Sequence, residues 1–254
     1  MESRDAQQGF TLVELTVVLI CIGIVSAGVL KAQEMIRLSR VTATIAQIQS
    51  YKAGLSIFRD TFRFVLGDAP AATKVLPNCT AANYCVDGDG NNIVGLANVR
   101  DILEQNQTGS ATPQVETSMF WKHLFLADLM TGVGPAANPD APEWGKTAPA
   151  APIGGGFRVA TKAWVTQPNF QKYGYILKIV SKPTNQYDRV LPLTTYHARA
   201  IDEKIDDGLP NGGDVAAEYY GNGTNGCKTG DGWNDGAQYN PPTTDKRCTI
   251  YIFI

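Results

Sequence analysis

Residues 10–30, FTLVELTVVLICIGIVSAGVL, limit what this chain can become more than any other stretch. Fifteen of these 21 residues are apolar, and Glu14 is the sole charge. As a helix rising 1.5 Å per residue the block is about 31 Å long, the thickness of a bilayer's hydrocarbon core. Averages conceal it. The mean hydropathy of −0.13 excludes a multi-span membrane protein but not a single span. Without the block the apolar share falls from 44% to about 42%, an ordinary value for a water-soluble chain.

A secretory signal peptide would place a shorter apolar region, roughly 7–15 residues, after a basic segment. Here the preceding MESRDAQQG carries Glu2, Arg4 and Asp5, and no A-x-A-like site follows Leu30. Both features argue against a conventional signal peptide. The helical pattern also runs on. All 14 prolines lie at or beyond Pro70, and Gly54 is the single glycine from Lys31 to Phe62. Val41, Ile45, Ile48, Leu55 and Phe62 recur at three-, four- and seven-residue steps, which predicts an amphipathic stripe continuing the same helix. The first quarter therefore reads either as an anchor with a juxtamembrane helix or as a stalk that packs against copies of itself.

Glu14 separates these readings. An ionisable group inside a span costs about 2.5–3.5 kcal/mol or more, so it ordinarily has a partner and a function. No Lys, Arg or His occurs between Phe10 and Leu30. If Phe10 became the N-terminus, its free amine would supply a cation in the right layer, to its own Glu14 or to that of a neighbour shifted along the axis.

The stretch Gly9-Phe10-Thr11-Leu12-Val13-Glu14-Leu15 resembles the N-terminus of type IV prepilins, GFTLVE followed by an apolar run. The resemblance implies cleavage between Gly9 and Phe10 by a prepilin peptidase and N-methylation of Phe10. It also implies a salt bridge from Glu14 to the Phe10 amine of an adjacent subunit during assembly. Two features differ from the common pilin pattern. The leader is not net basic, and no proline stands near Val29-Leu30-Lys31, leaving Gly23 and Gly28 as the candidate soft points of the helix.

The rest of the chain is dense in turns. Residues 117–130 predict a short amphipathic helix with Phe120, Leu124 and Ala127 on one face, stopped by Gly132; residues 134–156 predict a long loop. Strands are expected at 157–164, 172–180 and 248–254, and a helix at 194–205 ending in the turn Asp206-Asp207-Gly208. The order suits an α+β fold of the type IV pilin kind: a long N-terminal helix packed on a small antiparallel sheet with long, disulfide-stapled loops. The implied domains are a leader (1–9), a transmembrane or assembly half-helix (10–30), and an extracytoplasmic head with the amphipathic half-helix (31–254).

Cysteine use fits export. Cys21 lies in the apolar block, while Cys79, Cys85, Cys227 and Cys248 form an even set outside it, with three possible pairings. Sequence proximity favours Cys79–Cys85 and Cys227–Cys248, and the latter resembles the C-terminal disulfide-bounded loop of many pilins.

Asp87, Asp89 and Asn91 stand at positions 1, 3 and 5 of a D-x-D-x-N run, a calcium-loop spacing. Position 6 is Asn92 and position 12 is Asn98, so a full EF-hand is excluded while a shorter Ca2+ turn is not. A metal-free Asx/Gly turn is the competing reading. A second acidic cluster, Asp231, Asn234 and Asp235, lies between Cys227 and Cys248.

Catalysis has little to rest on. There is no GxSxG, HExxH or Walker loop; Gly154–Gly156 lacks a following Lys-Ser/Thr; and Asp206 and Asp207, being adjacent, should point to different sides. His123 and His197 fall in helical contexts away from other ligand types. Residues 31–63 hold six basic and two acidic residues against a whole-chain charge of −2, yet the head has no basic run with interleaved aromatics, which argues against a nucleic-acid partner.

The sequence thus leads to a non-enzymatic structural subunit of a type IV pilus-like filament, assembled from the inner membrane after leader cleavage. Its partners would be copies of itself, the prepilin peptidase and an inner-membrane assembly platform. It would reside in the bacterial inner membrane first and in a periplasmic or extracellular filament afterwards. A type II secretion pseudopilin or a minor pilin is the alternative within the class. A monomeric, membrane-anchored calcium-binding protein is the alternative outside it.

Overall fold

A computed structural model describes residues 11–94, 113–135, 137–138, 141–161, 174–183, 191–217, 226–229, 236–241 and 245–254. The chain forms a long apolar N-terminal helix followed by a small antiparallel sheet, an α+β fold. Helix α1 is unbroken from Leu12 to Phe62, as the absence of proline requires. Two units divide at Arg40/Val41.

The first unit, through Arg40, is exposed along its whole described length. Fifteen large apolar side chains from Leu12 to Leu38 face solvent. The exposed helix therefore continues ten residues beyond Leu30, farther than the apolar block itself.

The second unit starts where burial starts. Val41, Thr44, Ile45, Ile48, Tyr51, Gly54 and Phe58 form the buried face of α1. Leu55 and Phe62 are only partly buried, so the stripe runs through Tyr51, Gly54 and Phe58 instead. A 3.6-residue period carries the core-facing line past the heptad positions. A short helix α2 (Ala72–Val75) and a 3₁₀ turn (Ala81–Asn83) follow.

Helix α3 (Pro113–Leu126) ends four residues before Met130. Asp128 adopts a left-handed conformation (φ 58°), with Leu129 N donating to Leu124 O and Asp128 N to Phe125 O. That is a Schellman stop, with aspartate in the place usually given to glycine. Gly132 lies in the next turn and does not end the helix. Nor is the helix amphipathic: Glu116, Met119, Phe120, Trp121, Lys122, His123, Leu124 and Leu126 are all buried. Lys122 is accommodated because its Nζ donates to the carbonyls of Gly134 (3.1 Å) and Pro135 (2.7 Å).

Strands β1 (Gly156–Thr161) and β2 (Tyr175–Val180) pair antiparallel. The two-residue strand β3 (Leu193–Thr194) leads into helix α4 (Thr195–Ile205), capped by the Thr194 hydroxyl accepting from His197 N. Strand β4 (Val215–Ala217) follows. The expected single strand 248–254 is two, β5 (Lys246–Cys248) and β6 (Ile250–Phe253), in different sheets. The main sheet has the order β1-β2-β6-β4, and β5 pairs with β3. Phe157, Val159, Leu177, Ile179, Ile250 and Ile252 form the core face. The opposite face is buried too, so alternation in β2 does not mark a solvated side: Lys178 is fully buried, donates to the Tyr251 hydroxyl at 2.9 Å and stands 4.6 Å over that ring.

The glycine run 154–156 has a steric origin. Gly154 and Gly155 hold φ of 115° and 71°, and a Cβ on Gly156 would meet the Trp144 ring and the Pro149 carbonyl. The run is needed to start β1, not to cradle phosphate.

Candidate functional site

At the start of α1, Thr11 and Glu14 cap the helix reciprocally. Thr11 N and Oγ1 each donate to Glu14 Oε2 at 2.8 Å, and Glu14 N donates to Thr11 Oγ1 at 3.3 Å. This is a capping box, in which the N3 carboxylate satisfies an amide that the helix cannot. No cationic side chain lies along residues 11–30, and the first, Lys31, pairs with Glu34 at 2.7 Å. Glu14 is thus held by its own helix end and is exposed. Gly9 and Phe10 lie outside the described residues.

Two disulfides are formed, Cys79–Cys85 and Cys227–Cys248, while Cys21 is a free, exposed thiol. The first bridge closes the turn after α2; the second ties the segment before β5 to the sheet region. His123 is less isolated than its sequence context implies. It is fully buried, lies parallel to the Phe58 ring at 6.3 Å, and has a ring nitrogen within 4.8 Å of both Cys79 and Cys85 sulfurs. Its Nδ1 accepts from Gly67 N at 3.3 Å. Burial lowers its pKa to about 4, against smaller upward pulls from the Val86 carbonyl and the Asp87 carboxylate. With both sulfurs consumed by the disulfide, this group is a packed core contact, not a thiolate metal site.

The D-x-D-x-N turn does not converge on one point. Asp87 accepts from Thr73 N at 2.8 Å and from its hydroxyl at 2.9 Å. Asp89 accepts from Asn91 N and Nδ2, and Asn91 accepts from Ile93 N, a succession of Asx turns. Asp89 instead joins two carboxylates that sequence spacing gave no reason to link, Asp68 and Glu116, with one oxygen of each within 4.8 Å of the others. Asp68 and Glu116 are buried. Asp68 accepts from Gly90 N and Asn92 N at 2.6 Å each, and Glu116 accepts from Asp89 N at 3.4 Å. Burial raises the Asp68 pKa, against the lowering effect of those two amides. Glu116 ties the turn to α3, Asp68 ties it to the segment after α1, and the three carboxylates are the hard oxygens that Ca2+ takes. They come from three separate parts of the chain, so only the fold brings them together.

Asp206 and Asp207 also converge, contrary to the expectation from adjacency. Both carboxylates lie within 4.8 Å of the buried Asp202. Helix α4 stops at Asp206 (φ −144°, ψ −137°), whose backbone leaves the helical region there. The other acidic cluster, Asp231, Asn234 and Asp235, lies outside the described residues.

No curated protein and no solved structure matches the chain. Its N-terminal segment does match a family: residues 4–30 fit the model of the prokaryotic N-terminal methylation motif. The match spans Gly9, Phe10 and Glu14 and ends at Leu30, so this chain carries the N-terminal signal of the type IV pilin and pseudopilin family.

Proposed function

We propose that the protein is a structural subunit of a type IV pilus-like filament. The observation that carries this reading is the methylation motif set on a helix whose apolar side chains stay exposed through Leu38. Burying one Val, Leu or Ile side chain is worth roughly 1.5–3 kcal/mol. Fourteen such groups and Met35 between Leu12 and Leu38 cannot remain in water. A bilayer covers them before assembly, and neighbouring copies of the same helix cover them afterwards.

Removal of residues 1–9 would free the Phe10 amine beside Thr11. Glu14 would then exchange the Thr11 amide for a cationic partner, its own Phe10 amine or that of a neighbour. In a low-dielectric layer the pair with a neighbour favours one axial register over others. The prepilin peptidase and an inner-membrane platform are the partners this pathway requires. The motif is of a structural pilin type and not an enzyme class. The head, with its two disulfides, would form the filament surface.

Electron microscopy of sheared surface material tests the reading. Filaments containing this chain should be present for the wild type and lost for Glu14→Val, with the variant subunit still in the membrane fraction. Short periplasmic filaments in place of long surface ones would assign it to the pseudopilins. A monomeric calcium-binding anchor is the competing reading, favoured by the convergence of Asp68, Asp89 and Glu116. It requires monomers in the membrane and a rise in melting temperature with added Ca2+.

A further inference from the structure

The C-terminal end of α4 carries a charge arrangement that filament assembly does not use. Asp202 is fully buried on α4. Both of its carboxylate oxygens are engaged: Oδ2 accepts from the Tyr239 hydroxyl at 2.7 Å, and Oδ1 from Gly208 N at 3.1 Å. Asp206 and Asp207 each place a carboxylate oxygen within 4.8 Å. Asp206 accepts from the amides of Asp214 and Val215, and Asp207 from that of Leu209. Among the described residues no lysine or arginine bonds to any of the three. The buried Lys228 donates to Asn211 instead.

Tyr239 belongs to a small ribbon inside the Cys227–Cys248 loop. Lys228 and Tyr239 form an antiparallel bridge. Thr229 N donates to Gln238 O at 2.8 Å and Asn240 N to Cys227 O at 3.1 Å. The Tyr239–Asp202 hydrogen bond joins this ribbon to α4. A buried carboxylate beside two others, bonded by no described lysine or arginine, is costlier ionised than neutral.

We propose that Asp202 is a proton-operated latch between α4 and the disulfide-bounded ribbon, closed when the carboxyl is protonated and loosened when it ionises. The groups acting on it are Tyr239 from the ribbon and Asp207 and Asp206 from the helix end. Burial first, and then those two carboxylates, lift its pKa to about 7, against the opposing donors Tyr239 and Gly208. Burial and the Asp202 charge keep the Tyr239 phenol protonated, so it remains a donor in both states. The latch is strongest in acid, weakens as pH rises from about 4 toward 7, and levels off above that.

Hydrogen exchange of the full-length protein in detergent micelles, from about pH 5.5 to about 8.5 and corrected for the intrinsic rate, tests this. Protection at the Thr229 and Asn240 amides should fall about tenfold or more between about pH 5.5 and 7 and level off above. Asp202→Asn should keep that protection high and flat. Tyr239→Phe removes a donor that favours the ionised carboxylate, so its protection should be lower and its midpoint displaced to higher pH. If Asp202→Asn fails to fold, the Tyr239→Phe midpoint decides. PH-independent protection in the wild type, an unchanged titration in Asp202→Asn, or an unmoved midpoint in Tyr239→Phe would overturn the latch.

Discussion

His123 and Asp202 titrate in opposite senses as the head folds. Burial holds the His123 pKa at about 4, below its ordinary 6.5, so the unfolded chain binds the extra proton between those values. Stability from this group is complete above 6.5 and is lost as pH falls toward 4, by up to about 3 kcal/mol. Asp202 is raised from 3.8 to about 7, so the folded form holds the extra proton and stability falls as pH rises across that range. Asp68, also raised by burial, adds to the second trend. The wild-type stability curve should therefore be flatter between pH 4 and 7 than either residue alone would make it. Chemical denaturation against pH checks this with two variants. His123→Gln, which can still accept from Gly67 N, should lose stability as pH rises. Asp202→Asn should gain it.

At the scale of elements, the two disulfides make unequal contributions. In the chain-entropy model the short Cys79–Cys85 loop is worth about 2 kcal/mol and the Cys227–Cys248 loop about 3 kcal/mol. Their separations of 6 and 21 residues set that order. Paired serine replacements, compared by denaturant midpoint, should show the greater loss at Cys227/Cys248. The sequence makes some elements plain and hides others for physical reasons. α1 is legible because nothing breaks it from Leu12 to Phe62, and α4 because Thr194 caps it where the pattern begins. α3 misleads: its buried Lys122 and His123 sit at positions that read as a solvated face, and carbonyls and ring stacking that compensate them arise only on folding. Asp128 ends that helix in a conformation glycine usually marks. Residues 248–254 read as one strand because periodicity cannot register Thr249, where the chain changes partner from β3 to β2 and β4. The acidic groups Asp68/Asp89/Glu116 and Asp202/Asp206/Asp207 depend on loop paths that local spacing does not encode.

For the whole molecule, one asymmetry organises the rest: a proline-free first quarter with its apolar side chains exposed, and a head that buries its own. Burial begins at Val41, so the head's core accounts for only the later part of α1. The earlier part leaves its apolar side chains exposed through Leu38. Glu14, closed on Thr11 by a capping box, is the polar group that processing would release to a new partner. The most direct test is the N-terminus of the full-length protein recovered from cell envelopes, read by intact mass and N-terminal sequencing. The account predicts a chain that begins at Phe10, carries one added methyl group on its amine, and lacks residues 1–9. A chain that retains Met1, or one cut after Ser26 or beyond, would contradict it.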